Sequence, residues 1–150
     1  MSFLKNQLHT LCAAFVQQRI AAAQAAMLTA QESANSETKS SAGDKYETGR
    51  AMAQEERNRN AVQLQQALQL QGELTRINPD LPCDTVRPGA LVDSTLGRFF
   101  ISISAGKLTV DGQDYFAVSA AAPVAAALSG KRAGEQVVFN GKPVTISTIE

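Results

Sequence analysis

The sequence predicts an α+β protein, in which an N-terminal antiparallel coiled-coil hairpin precedes a small β-sheet domain with one short helix. Residues 1–78 contain no proline and are rich in Ala, Gln, Glu and Arg, which favour helices. Residues 79–150 hold all five prolines and most of the β-branched and aromatic residues, which favour strands. The change falls at "NPDLPCD" (78–84), so we predict a helical domain over 1–78 and an α+β domain over 79–150.

The first domain carries apolar residues at spacings of three and four, which predicts two helices with one apolar face each. The polar stretch "SANSETKSSAGDK" (33–45) separates the two helices. Matching apolar faces on either side of a turn predict an antiparallel hairpin, and arms of about 30 residues would reach roughly 45 Å. The predicted apolar faces are Leu4, Leu8, Leu11, Phe15, Ile20, Met27 and Leu28 on the first helix, and Leu64, Ala67, Leu70, Leu74 and Ile77 on the second.

The second domain reads as about five short strands joined by tight turns at Leu96-Gly97, at "DGQD" (111–114) and at Asn140-Gly141. A short helix is predicted within "APVAAALSGK" (122–131), with Pro123 at its first position and Gly130 at its C-terminal cap. The predicted core is Phe99, Ile101, Phe116, Val118, Leu128, Val138, Val144 and Ile146.

Composition excludes several classes of function. With 14 basic and 14 acidic residues the net charge is zero, which argues against binding a nucleic-acid backbone by bulk charge. Cys12 and Cys83 form no CxxC motif, so we expect free thiols and neither a disulfide framework nor a cysteine zinc site.

No apolar run is long enough for a signal sequence or a membrane span, so we expect a cytoplasmic protein. His9 has no evident catalytic partners and no nucleotide or HExxH motif is present, so we do not expect an enzyme acting by itself.

An acidic pair lies in "GDKYETGR" (43–50), at the foot of the polar stretch. Asp44 and Glu47 have the spacing of a capping box at the start of a helix. The same i, i+3 spacing would place both carboxylates on one side of that helix, where they could share a hard cation such as Mg²⁺. Residue spacing leaves both interpretations open.

Two segments resemble the bacterial Gre-type transcript cleavage factors. The segment "GDKYET" (43–48) is similar to the Gly-Asp-x-x-Glu-Asn that opens the second helix in that family, and "AMAQEE" (51–56) resembles the run that follows. The segment "SAAAPVAAALSGKRAGEQVVFNGKPVTISTIE" (119–150) resembles the family's C-terminal end. The matched residues there are Pro123, Val124, Ala125, Leu128, Gly130, Lys131, Gly134, Glu135, Val137 and Val138.

The resemblance implies an FKBP-like C-terminal domain that docks at the rim of the secondary channel of RNA polymerase, through a surface that includes Pro123, Val124 and Leu128. It implies that the coiled coil enters the channel and meets the RNA 3′ end only indirectly, with any DNA contact made through the polymerase. Asp44 and Glu47 would act in trans, as catalytic residues that help hold a Mg²⁺ ion shared with the polymerase during cleavage of backtracked RNA. No tightly bound cofactor is implied, and we expect a monomer.

Three alternatives remain. A Gre-fold regulator could bind RNA polymerase without stimulating cleavage, and an unrelated coiled-coil adaptor could share the layout. A prolyl isomerase is a further alternative, because the C-terminal domain resembles that fold, but the sequence shows no aromatic-lined proline pocket.

Overall fold

The computed structural model describes residues 3–39 and 44–150, with side chains described for 3–32, 49 and 51–150. Two long helices come first and a sheet with one short helix follows, which confirms the predicted α+β order. The sheet has six strands instead of about five. The elements are α1 (Phe3–Lys39), α2 (Asp44–Thr75), β1 (Leu91–Ser94), β2 (Gly97–Ser102), β3 (Gly106–Val110), β4 (Gln113–Ser119), α3 (Pro123–Leu128), β5 (Gln136–Phe139) and β6 (Lys142–Ile149).

The described chain separates into two compact units, Met1–Phe15 with Gln71–Glu150, and Val16–Leu70. The first unit contains the sheet, α3, the first turns of α1 and the end of α2. The second unit is the rest of the two long helices. The predicted domain boundary between residues 78 and 79 stays a prediction. Across the described residues, neither long helix has a stretch apolar enough to cross a membrane.

The buried positions of the two long helices combine small residues with larger apolar ones. On α2 the buried positions recur every seven residues, at Ala53, Asn60, Ala67 and Leu74. A seven-residue repeat of buried positions is the pattern of a coiled coil. On α1 the buried positions from residue 8 onward are Leu8, Cys12, Val16, Ile20, Ala23 and Ala30.

The predicted apolar faces are confirmed at Leu8, Ile20, Ala67 and Leu74 and wrong at Leu28, which is 62% exposed. Residues two apart on a helix lie on nearly opposite sides. Because Ala30 is buried, Leu28 must point outward.

The sheet has the strand order β3-β4-β2-β1-β6-β5. The three predicted hairpins are confirmed as the antiparallel pairs β1–β2, β3–β4 and β5–β6, and β2 runs parallel to β4. The second and third hairpins turn through Asp111-Gly112 (φ 51° and 76°) and Asn140-Gly141 (φ 52° and 77°). Two consecutive residues with positive φ form the type I′ turn, which suits the twist of a hairpin and which Asn-Gly and Asp-Gly favour.

Both faces of the sheet are covered. On one face α3 packs against the strands, and this core contains Phe99, Ile101, Leu128, Val144 and Ile146 as predicted, with Val118 packed at its edge. The opposite face carries a second set of buried residues that the sequence did not indicate. It includes Leu91, Phe100, Leu108, Tyr115 and Ala117.

The first turns of α1 lie against that second face. Leu4 lines a small cavity together with Leu91 and Tyr115, and Cys12 Sγ lies 3.7 Å from Ser102 Oγ on β2. Leu8 is fully buried. Helix α1 therefore supplies the cover for the face that carries Phe100.

Two residues of the predicted core are exposed, Phe116 by 39% and Val138 by 73%. Successive strand residues point to opposite faces, so the half-buried Val137 takes the core position on β5 and Val138 points away. Phe116 shares the α3 face with Phe99, at a ring-centroid distance of 6.1 Å. It lies on β4 beside the outermost strand, and the six-residue α3 leaves it uncovered.

Candidate functional site

The acidic pair falls at the start of α2, which begins at Asp44. The side chains of Asp44 and Glu47 lie outside the described residues, so the capping and metal-binding interpretations both stay predictions. What the backbone establishes is that the two positions are three residues apart on one helix, where side chains share a side.

The histidine and the two cysteines lie in contacts within the fold. His9 Nε2 donates to the Leu74 carbonyl oxygen at 3.2 Å, which ties α1 to α2. Cys12 and Cys83 are free, as predicted, and both are buried. Among the side chains that the structure describes, no three His, Cys, Asp or Glu residues come together as a metal site would need.

Helix α3 begins as the sequence predicts. Pro123 is its first residue, and Ala122 precedes it in an extended conformation (φ −61°, ψ 145°). Proline suits this position because its fixed φ is helical and the missing N–H has no acceptor there. Gly130 has φ +78° and its N–H donates to the Val86 carbonyl oxygen at 2.9 Å, so the chain turns away from the helix at a residue without a side chain.

The three predicted docking residues differ in exposure. Pro123 is exposed and Val124 is half-buried. Leu128 is 1% exposed and packs in the core beneath α3. Leu128 can therefore contribute to a docking surface only by holding the helix in place, whereas Pro123 can contact a partner directly.

A surface groove of about 430 Å³ lies beside the segment that leads into α3. Ser119, Ala120 and Ala121 form one side of it. The remaining lining residues are Glu73, Arg76, Ile77, Pro88 and Ser102. The lining is thus half apolar and half polar, and its two charged residues are Glu73 of α2 and Arg76, which directly follows α2. The sequence did not indicate this groove. Ile77 was assigned to the apolar face of the second helix, and no periodic pattern connects residues of α2 with residues 119–121.

A buried lysine anchors the segment that joins α2 to the sheet. Lys5 is 1% exposed, and its Nζ donates to the carbonyl oxygens of Leu81 (2.9 Å) and Glu150 (3.1 Å). The Sγ of Cys83 lies 3.9 Å from the same nitrogen. A buried ammonium is tolerated only where acceptors replace its water shell. Lys5 thereby fixes the first turn of α1 to the connecting segment and to Glu150, which follows β6.

Comparison with known proteins gives little information about the family or function of this chain. No family model matches the chain, and no curated protein matches it. A solved structure of the transcription factor Gfh1 is 17% identical, with 90% of each chain covered and a TM-score of 0.34. A likeness at that level carries no weight for the fold or the function of this chain, which rest on its own residues.

Proposed function

We propose that this protein is a transcription elongation factor that binds the secondary channel of RNA polymerase and stimulates the cleavage of backtracked RNA. The observation that carries the proposal is the position of the acidic pair. The segment that resembles the Gre tip begins α2, a helix of 32 residues, which spans roughly 48 Å. Asp44 therefore lies a full helix length from Thr75, as delivery of carboxylates into a deep channel would require.

The chain's own contribution to the chemistry is position and charge. Asp44 and Glu47 would hold a Mg²⁺ ion shared with the polymerase, and this ion supplies the charge that favours attack of water on a phosphodiester. Two carboxylates on one side of a helix end suit this task, because Mg²⁺ in phosphoryl-transfer sites binds one or two protein carboxylates together with water and phosphate. The nuclease activity itself belongs to the polymerase.

Docking would use the surface around the start of α3. Pro123 is exposed there, Val124 is half-buried, and the groove formed by Ser119, Ala120 and Ala121 adjoins them. A groove that combines apolar residues with a few charged ones suits a protein-binding surface. This surface would hold the protein at the rim of the channel.

A second candidate function is a Gre-fold regulator that binds the polymerase without cleavage. The residues inside and beside the acidic pair favour it: Lys45 follows Asp44, and Thr48 takes the place of the family's asparagine. A lysine ammonium next to the pair would compete with a metal ion for the carboxylates.

The test is RNA cleavage by stalled, backtracked complexes of a bacterial RNA polymerase in the presence of Mg²⁺. The variant Asp44→Ala/Glu47→Ala should lower cleavage by at least about 100-fold while it binds the polymerase as wild type does. The matched control is Glu55→Ala/Glu56→Ala, which removes two exposed carboxylates further along the same helix and should cleave normally.

The other outcomes separate the two candidates. Polymerase binding without cleavage by the wild-type protein would establish the regulator and leave Asp44 and Glu47 as a helix cap. Failure of the wild-type protein to bind any bacterial RNA polymerase would overturn both candidates.

A further inference from the structure

A lysine and a cysteine that are 78 positions apart in the chain meet at the first turn of α1. Lys5 Nζ donates toward Cys83 Sγ across 3.9 Å. The Cys83 thiol in turn donates to the carbonyl oxygen of Leu81 at 3.8 Å, and the same oxygen accepts from Lys5 Nζ at 2.9 Å. Because the nitrogen and the sulfur share one acceptor, they are held side by side.

Burial keeps this pair in place. Lys5 is 1% exposed and Cys83 is 8% exposed. A buried ammonium cannot exchange its acceptors for water, and Lys5 Nζ also donates to the Glu150 carbonyl oxygen at 3.1 Å. A lysine on the surface would sample many rotamers, whereas this one is fixed beside the sulfur. Two groups that are held together react far faster than the same groups free in solution.

A small cavity connects the pair with solvent. Its volume is about 200 Å³, and Lys5, Cys83, Leu81 and Glu150 are among the residues that line it. A water molecule takes up about 30 Å³ in the liquid, so a molecule of roughly twice that size, such as hydrogen peroxide, fits in the cavity. The sulfur of Cys83 is therefore within reach of a small oxidant.

The second cysteine provides a contrast within the chain. Cys12 has no exposed surface, and its Sγ lies 3.7 Å from the hydroxyl oxygen of Ser102. Burial raises the pKa of the Cys12 thiol above its ordinary value. Oxidation of a cysteine requires access and thiolate character, so Cys12 is protected from peroxide. Only Cys83 combines a partly open position with a lysine nitrogen as its neighbour.

We propose that peroxide converts Lys5 and Cys83 into a covalent N–O–S bridge. A first hydrogen peroxide oxidises the Cys83 thiol to a sulfenic acid and is itself reduced to water. In the second step the sulfenic oxygen bonds to Lys5 Nζ. Two N–H bonds and the sulfenic O–H bond break, a second peroxide takes up the two electrons and becomes two water molecules, and one proton is released. The inserted oxygen spans part of the distance between nitrogen and sulfur, which a direct N–S bond would have to close entirely.

The bridge joins the first turn of α1 covalently to the segment between α2 and β1. Dithiothreitol reverses it, since two molecules of this dithiol supply the four electrons that regenerate the amine, the thiol and one water molecule. Further oxidation of a cysteine to the sulfinic acid is not reversed in this way. The modification goes beyond the proposed function in transcription and does not depend on it.

The test is peptide mapping by mass spectrometry of the full chain, after treatment of the folded protein with hydrogen peroxide. Wild type should give a pair of peptides that are joined at Lys5 and Cys83. Their mass should exceed the sum of the two peptides by about 14 Da, because one oxygen is gained and two hydrogens are lost. Dithiothreitol should separate them. The same treatment in concentrated urea should lower the yield at least about tenfold, because unfolding separates the two side chains.

Variants of the two cysteines are matched controls. Cys83→Ser should abolish the bridge, and Cys12→Ala should leave its yield unchanged. Lys5→Arg keeps the positive charge but not the amine, so Cys83 should take up oxygen without a cross-link. Three results would each refute the bridge: a folded wild-type protein without the cross-link after peroxide treatment, an equal yield in urea, or the same mass gain in Cys83→Ser.

Discussion

The side chains that differ most from the behaviour expected of their residue types are buried ones. Lys5 stands next to Leu4 in a helix whose apolar stripe the sequence indicates, yet Lys5 is the residue that is 1% exposed. Its burial depends on the carbonyl oxygens of Leu81 and Glu150, far along the chain. No local pattern can predict a partner more than 70 positions away, so this role is decided by tertiary contacts alone.

Burial also sets the titration of Cys12, a residue with no exposed surface. Removal from water raises the pKa of the Cys12 thiol above its ordinary value of 9.0, and the hydrogen bond with Ser102 opposes this in part. The unfolded thiol ionises near 9.0 and the pKa of the buried thiol is higher, so the unfolded state binds fewer protons as the pH rises past 9.0. Stability attributable to Cys12 is therefore complete below pH 9.0 and is lost as the pH rises.

We expect the free energy of unfolding of wild type, relative to Cys12→Ala, to fall between pH 8 and about pH 10, with a slope of at most about 1.4 kcal/mol per pH unit. Urea denaturation under reducing conditions at the two pH values measures this difference. The same pH dependence in both proteins would show that Cys12 ionises equally well when it is folded.

At the scale of elements, the seven-residue repeat of buried positions on α2 contains one polar residue. Ala53, Ala67 and Leu74 share the seven-residue repeat with Asn60, which is 8% exposed. The Nδ2 of Asn60 has no hydrogen-bond partner among the described residues. A buried donor without an acceptor costs free energy, and a single asparagine at such a position often fixes the register of a coiled coil.

Asn60→Ala should raise the free energy of unfolding by about 1–2 kcal/mol, because it removes the unpaired amide and places a better helix former. The matched control is Asn58→Ala, two residues earlier and exposed, where only helix propensity changes and the weak contact with Gln54 is lost. Thermal or urea unfolding compares the two variants. A gain at Asn58 as large as that at Asn60 would mean that burial of the amide has no cost.

Two glycines with equally open surroundings should respond to alanine with opposite signs. Gly72 lies in α2 and Gly141 lies in a turn with φ +77°, and a Cβ added at either would meet no atom within 4 Å. Gly72→Ala should stabilise the protein by up to about 1 kcal/mol through helix propensity. Gly141→Ala should destabilise it by about 1 kcal/mol or more, because a side chain disfavours the left-handed conformation. Urea denaturation of both variants tests this, and effects of the same sign would contradict the backbone conformations.

At the scale of the whole molecule, the sheet is completed by residues from both ends of the helical region. The unit that contains the sheet includes Met1–Phe15 and Gln71–Glu150. The face that carries Phe100 and Tyr115 depends on α1 for its cover. A sheet with one face exposed would leave these large side chains in water, at a cost of about 1.5–3 kcal/mol for each.

Two shortened chains test where the sheet unit ends. Joining Phe15 to Gln71 through a short Gly-Ser linker removes residues 16–70 and should give a cooperatively folded protein. The fragment 79–150, which follows the predicted domain boundary, lacks α1 and should melt at a clearly lower temperature or remain unfolded. Thermal unfolding followed by circular dichroism compares them, and equal stability would support the boundary at residue 78.

The sequence by itself determined the features that depend on neighbours in the chain. The two long helices, the turns at Asp111-Gly112 and Asn140-Gly141, and the start of α3 at Pro123 all follow from local backbone preferences and short-range periodicity. The motif around Asp44 and Glu47 could also be identified from the sequence, and its proposed role stays a prediction. Only the tertiary structure decided which apolar residues are buried, why Lys5 is among the most enclosed, and how α2 and residues 119–121 form one groove. Burial and grooves arise where distant segments pack together. The pattern of residues within one segment does not show which other segment will pack against it.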